Sequence, residues 1–195
     1  MCVIVRISCG SSALPHKPLI FCAEKGMNNQ NRIKIGEPSP DFLLLDTAGN
    51  KWQLSEKRGQ VVALLFYPGN ETLVCTKQLC SVRDNWQKYM DTRALVVGVS
   101  PGTEGEHYNF AAHHSLPMPL LADKNRGITK IYGKHLWMPI WATRAVVIID
   151  AKGFVRYRNT MMRALRPTDD EVITAIELAK YDNLAERRFS KNQLV

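Results

Sequence analysis

Three short runs of β-forming apolar residues constrain this chain more than anything else in it: 61–67 (Val-Val-Ala-Leu-Leu-Phe-Tyr), 94–100 (Ala-Leu-Val-Val-Gly-Val-Ser) and 145–149 (Ala-Val-Val-Ile-Ile). Each is too short for a helix and apolar at nearly every position, so each reads as a strand buried on both faces, which demands packing layers above and below. The intervening segments supply those layers. Helical patterns are predicted over 73–91, 104–115, 125–132 and 169–181, with a further short strand at 119–122. Residues 42–45 and 51–54 flank the cluster Asp46-Thr-Ala-Gly-Asn50, in which Gly and Asn supply the positive-φ positions of a hairpin. Asp150-Ala-Lys-Gly153 then turns the chain into a strand at 154–158. Strands alternating with helices and bounded by hairpins define an α/β fold: a central mixed sheet flanked by helices, with an N-terminal β-hairpin.

The longest apolar run is 61–67, far short of the roughly 18 to 20 residues that a membrane-spanning helix needs, so no membrane partner is expected. Twenty-six Lys and Arg against 18 Asp and Glu give a net charge of +8. The basic residues are scattered, and no zinc-finger spacing, basic heptad or RNA-binding aromatic motif accompanies them. The charge is read as a solubility feature, and nucleic acid is not expected as a partner. Five cysteines, Cys2, Cys9, Cys22, Cys75 and Cys80, are odd in number and irregular in spacing. That pattern argues against a secreted disulfide scaffold and for thiols kept reduced inside a cell, with a cytoplasmic location expected.

Residues 1–31 stand apart as an N-terminal extension: acid-poor, without periodicity, and holding three of the five cysteines. No secretory signal is recognisable. The extension reads either as a weak organelle transit segment or as an over-extended start with the first native residue at Met27, the second being preferred. Residues 32–186 form the predicted domain and 187–195 a C-terminal tail. No long exposed apolar helix demands a partner, so a monomer is expected.

The chemistry concentrates in 66–80, Phe-Tyr-Pro-Gly-Asn-Glu-Thr-Leu-Val-Cys-Thr-Lys-Gln-Leu-Cys. Pro68 and Gly69 break the strand, and Thr72 stands three residues before Cys75 at a predicted helix start. With Thr72 as N-cap, Cys75 falls at N3, facing unpaired N–H donors and the positive end of the helix dipole. A thiolate is favoured there, and the thiolate is the nucleophile.

Pro68, Thr72 and Cys75 together spell Pro-x-x-x-Thr-x-x-Cys, and on this motif the chain resembles the peroxiredoxins. The likeness extends through Gly36-Glu-Pro-Ser-Pro-Asp-Phe42, Gly98-Val-Ser100, His107-x-x-Phe110, Leu120-Leu-Ala-Asp123 and Arg144-x-x-x-x-Ile-Asp150. A second cysteine five residues after the first, Cys80, resembles the Q-type or bacterioferritin-comigratory branch. The resemblance implies a thioredoxin-like fold and a peroxidase acting on hydrogen peroxide and organic hydroperoxides. It implies Cys75 as peroxidatic nucleophile, Thr72 orienting peroxide and thiolate, Pro68 shielding the site and Arg144 stabilising the anion. It also implies Cys80 as the resolving thiol, whose alternative is an inert helix-face cysteine, and thioredoxin or a similar dithiol as reductant. No metal, haem, flavin or other cofactor is implied.

One geometric consequence is independent of the family. Residues five apart in an ideal helix lie roughly 8.6 Å apart at Cα, beyond the limit of about 7 Å for a disulfide. A Cys75–Cys80 bond therefore requires the helix start to unwind. Gln78 stands where many relatives carry Glu, and 134–141 brings Trp137 and Trp141 near Arg144, either as an exposed loop packing its own aromatics, the commoner case, or as an apolar wall for bulky peroxides. His113 and His114, adjacent and with no carboxylate or cysteine at ligand spacing, read as solvated or capping side chains. His107 reads as structural, and Thr76, Cys2, Cys9 and Cys22 as non-catalytic. Rival readings are a peroxide-sensing switch that binds a partner through the oxidised helix, a thiol-disulfide oxidoreductase, disfavoured without Cys-x-x-Cys, and a basic nucleic-acid-associated protein.

Overall fold

The computed structural model describes residues 33–133, 143–162 and 167–192. The extension at 1–31 and the segment carrying Trp137 and Trp141 lie outside the described residues. Seven strands form one sheet in the order β2-β1-β5-β4-β3-β6-β7. They are β1 (Leu43–Asp46), β2 (Lys51–Gln53), β3 (Val62–Phe66), β4 (Leu95–Ser100), β5 (Leu120–Ala122), β6 (Thr143–Ile149) and β7 (Val155–Met162). The helices are α1 (Leu73–Asp84), α2 (Trp86–Asp91), α3 (Glu104–His113), α4 (Gly127–Tyr132) and α5 (Asp169–Asn192). β3 pairs parallel with β4, and β4 with β5, whereas β1–β2, β1–β5, β3–β6 and β6–β7 are antiparallel. The sheet is mixed, with a hairpin at each end.

Both hairpins close through an aspartate. Asp46 Oδ1 accepts the amides of Ala48 and Asn50 at 2.8 and 2.9 Å, with Gly49 at φ 79°. Asp150 Oδ1 repeats the device for Lys152 and Phe154, both at 2.9 Å, with Gly153 at φ 89°. Short polar side chains that bond their own turn explain why these corners were readable.

The period of two along the central strands sorts the core into two layers. Ala63, Leu65, Val146 and Ile148 meet Leu79 and Val82 of α1, Phe110 of α3 and Ile176 of α5. Val62, Leu64, Phe66, Val147 and Ile149 meet Phe42, Trp52 and Tyr132 on the other face. Arg144 therefore shares its face of β6 with Val146 and Ile148, the face that α1 covers.

Two helices differ most from the sequence pattern, and β6 and β7 are longer than their apolar runs. The predicted helix over 73–91 is divided at Asn85, whose backbone (φ −101°, ψ 16°) ends α1 while its side-chain amide bonds Ser81 O at 3.0 Å and Asp169 Oδ2 at 3.2 Å. Asn favours this capping role over helix interior. α5 runs to Asn192 rather than stopping at 181, taking in most of the segment read as a C-terminal tail, and its acidic first turn is stabilised by the positive end of the helix dipole.

Candidate active site

β3 delivers the chain to the site. Tyr67 continues the ladder by donating its amide to Val99 O at 3.0 Å, after which Pro68 and Gly69 end pairing. Gly98, opposite on β4, leaves room for this: a Cβ there would stand 2.6 Å from Leu120 Cδ2 and 3.2 Å from the Tyr67 ring. The loop is then held by a relay. The buried Tyr67 hydroxyl donates to Asn70 Oδ1 at 3.1 Å, and the Asn70 amide donates to His107 Nδ1 at 2.9 Å. His107 Nε2–H donates to Ser100 O at 3.1 Å. That order requires a neutral ring protonated on Nε2, in keeping with burial, which moves the His107 pKa below its ordinary value against the pull of Glu106 and Glu104. Burial first, and Cys75 second, push the Tyr67 phenol well above its usual range.

Thr72 is the N-cap of α1, in extended conformation, its Oγ1 accepting the Cys75 amide at 3.4 Å. Cys75 sits at N3 with its side chain fully buried. From β6, the equally buried Arg144 reaches across: Nη2 donates to Cys75 Sγ at 3.2 Å and Nη1 to Gln78 Oε1. Residues three apart on a helix share a face, so one planar fork spans Cys75 and Gln78 together. A buried guanidinium is costly without compensating charge and hydrogen bonds. The Cys75 sulfur thus stands between the guanidinium and the amides at the start of α1, both of which attract negative charge.

The structure thus brings Cys75, Thr72 and Arg144 together. Cys80 does not join them: it is a free, half-buried thiol further along the unbroken α1, turned away from Cys75 by the helical twist. Pro68 lines a neighbouring groove of about 670 Å³ with Glu71, Phe110 and His113. Gln78, Tyr67 and Asn70 escaped sequence reasoning as site residues, because their contacts with Arg144 and His107 join elements distant in sequence. His107, fully buried, holds the loop as a structural residue. His114 does cap α3, yet Glu71 now faces both histidines, a carboxylate that their sequence spacing could not reveal.

A strand, a two-residue break and a capped helix bearing a buried cysteine beneath a buried arginine define the class: a thiol-centred α/β protein of the thioredoxin-like kind. The AhpC/TSA family matches residues 35–158. The chain is 36% identical over 129 residues to "Peroxiredoxin Q, chloroplastic" of Triticum aestivum, covering 65% of this chain and 58% of that one. It is 35% identical over 133 residues to the protein of the same name from Populus jackii, at 66% and 62% coverage. The crystal structure of peroxidoxin BcpB from Mycobacterium tuberculosis superposes with a TM-score of 0.65 at 26% identity, covering 75% of this chain and 98% of that one. The chain belongs to the AhpC/TSA family, and the relatives it is similar to carry the Q-type name. Its match spans 58% and 62% of the length of these two curated relatives.

Proposed function

We propose that this chain is a thiol-dependent peroxidase acting on hydrogen peroxide and organic hydroperoxides. The observation that carries the reading is the Cys75 sulfur, fully buried at the start of α1 and 3.2 Å from the Arg144 guanidinium. The Cys75 thiolate attacks one peroxide oxygen in line with the O–O bond, which breaks with both electrons leaving on the distal oxygen. That oxygen departs as hydroxide, or alkoxide from an organic peroxide, and is protonated. Cys75 becomes a sulfenic acid. Arg144 and the Thr72 hydroxyl stabilise charge moving onto the leaving oxygen more in the transition state than before it. Pro68 shields the approach from water.

The Cys80 thiol then attacks the sulfenic sulfur, expelling water and closing a Cys75–Cys80 disulfide before further oxidation. Thioredoxin or a similar dithiol protein returns both sulfurs to thiols and takes up the disulfide. No metal or organic cofactor enters this cycle. We place the reaction in a compartment that keeps thiols reduced, the cytoplasm or an organelle; the relatives named above are chloroplastic by name. Among the described residues no helix is long and apolar enough to cross a membrane.

Steady-state peroxide consumption with a thioredoxin-regenerating system tests the reading. Turnover should vanish in Cys75→Ser, while Cys80→Ser should be oxidised once and then stall. A wild-type chain that is oxidised but never turns over supports instead a peroxide-sensing switch. Persistent turnover in Cys75→Ser would refute the assignment.

A further inference from the structure

Glu71, His113 and His114 form a cluster that the proposed peroxidase cycle does not use. Glu71 stands in the loop before α1, His113 is the last residue of α3 and His114 its C-cap. His113 Nδ1 lies 3.4 Å from Glu71 Oε1, and His114 Nε2 lies 3.3 Å from Glu71 Oε2. One donor atom from each side chain falls within 4.8 Å of the other two. Nitrogen and oxygen ligands sit about 2.0 to 2.2 Å from a zinc-like cation, so neighbouring ligands of a tetrahedral site stand roughly 3.4 Å apart. The two imidazole–carboxylate contacts, one to each Glu71 oxygen, match that edge, and the three side chains need only small rotations from within 4.8 Å to close on one ion. Two imidazoles and a carboxylate are also the donor set that such cations prefer.

The cluster is held in place before any ion arrives. His114 packs edge-on against Phe110 at 4.9 Å between ring centroids, and its carbonyl accepts Arg83 Nη1 at 2.7 Å. Glu71 occupies a left-handed backbone conformation, φ 53°, beside Asn70, which His107 anchors. The groove of about 670 Å³ opens on Glu71 and His113, leaving access for an ion and for water in the remaining coordination position.

We propose that Glu71, His113 and His114 bind one divalent transition cation of the zinc type, and that the bound ion ties the loop before α1 to the end of α3. Glu71 lies two residues ahead of Leu73, so the tie restrains the turn of α1 that must open before Cys80 can reach Cys75. The ion would then slow disulfide closure; that consequence rests on the peroxidase reading, whereas the site and the tie do not. By linkage, opening the turn must weaken the ion to the same degree.

The test uses the reduced full-length chain and Co2+ as probe, followed by calorimetry and by absorption. One ion per chain is expected, with no thiolate-to-metal charge-transfer band. Glu71→Gln and His113→Ala, both at exposed positions, should each weaken binding about tenfold or more. Binding that either variant leaves unchanged, or that carries a thiolate band, overturns the site. Hydrogen exchange of residues 73–80 with and without Zn2+ tests the tie. Zinc should slow exchange in the parent and not in His113→Ala, and equal exchange in the parent would overturn it. Neither readout involves peroxide, so failure of the peroxidase reading would be seen separately.

Discussion

A fully buried guanidinium needs its charge answered within the protein, since desolvating it costs several kcal/mol. Arg144 meets that requirement partly through Cys75 Sγ and Gln78 Oε1. Replacing Arg144 by Ala should lower the second-order rate with hydrogen peroxide about 10²- to 10³-fold, the size found when one preorganised donor is lost. Stopped-flow oxidation measures it, and an unchanged rate would refute the role. His107 makes a second prediction. Burial moves the folded pKa of its ring below the ordinary value, while the unfolded chain titrates near 6.5. Below that value the unfolded state binds more protons, so this contribution to stability is present above about pH 6.5 and lost as pH falls through the folded value. Urea midpoints should drop more between pH 7.5 and pH 5 in the parent than in His107→Gln. The contact of Cys75 with Thr72 was legible from the capping pattern, whereas Arg144 was placed there only by the family resemblance. Gln78 was not legible: nothing in a sequence says which neutral side chain will face an arginine 66 positions away. Glu71 stayed hidden for the same reason, its histidines lying 42 and 43 residues on.

Among the elements, α1 bears the strain of the proposed cycle. Leu79 and Val82 anchor its middle in the core, whereas Leu73 at its start is 82% exposed, so the first turn is the part that can open at low cost. Hydrogen exchange of residues 73–82 should rise on conversion from dithiol to disulfide, while the 146–149 strand stays protected. Equal protection in both forms would mean that the disulfide forms without unwinding. The start of α1 was readable from Thr72, a local capping signal. Its end was not, since the pattern continues unbroken and the stop depends on Asn85 reaching Asp169 on α5. β6 likewise begins at Thr143, earlier than its apolar run suggests. A charged residue inside a strand lowers the apolar signal even when, as with Arg144, it points inward.

At the scale of the molecule, the mixed sheet followed from its two aspartate-closed hairpins and from apolar runs too continuous to face water. The strand order did not follow, because β1 inserts beside β5 only once the parallel crossovers are complete. A net charge of +8 disfavours self-association, and sedimentation of the reduced chain is expected to give a monomer. A dimer at micromolar concentration would contradict that expectation. The proposed cycle also concentrates reactivity in one sulfur of five. Treating the fully reduced chain with a single equivalent of hydrogen peroxide, alkylating the remaining thiols and mapping linked peptides by mass spectrometry asks which sulfur reacts. The account predicts Cys75 joined to Cys80, with the other three thiols alkylated; Cys75 recovered as an alkylated thiol while oxidant is spent elsewhere would contradict it.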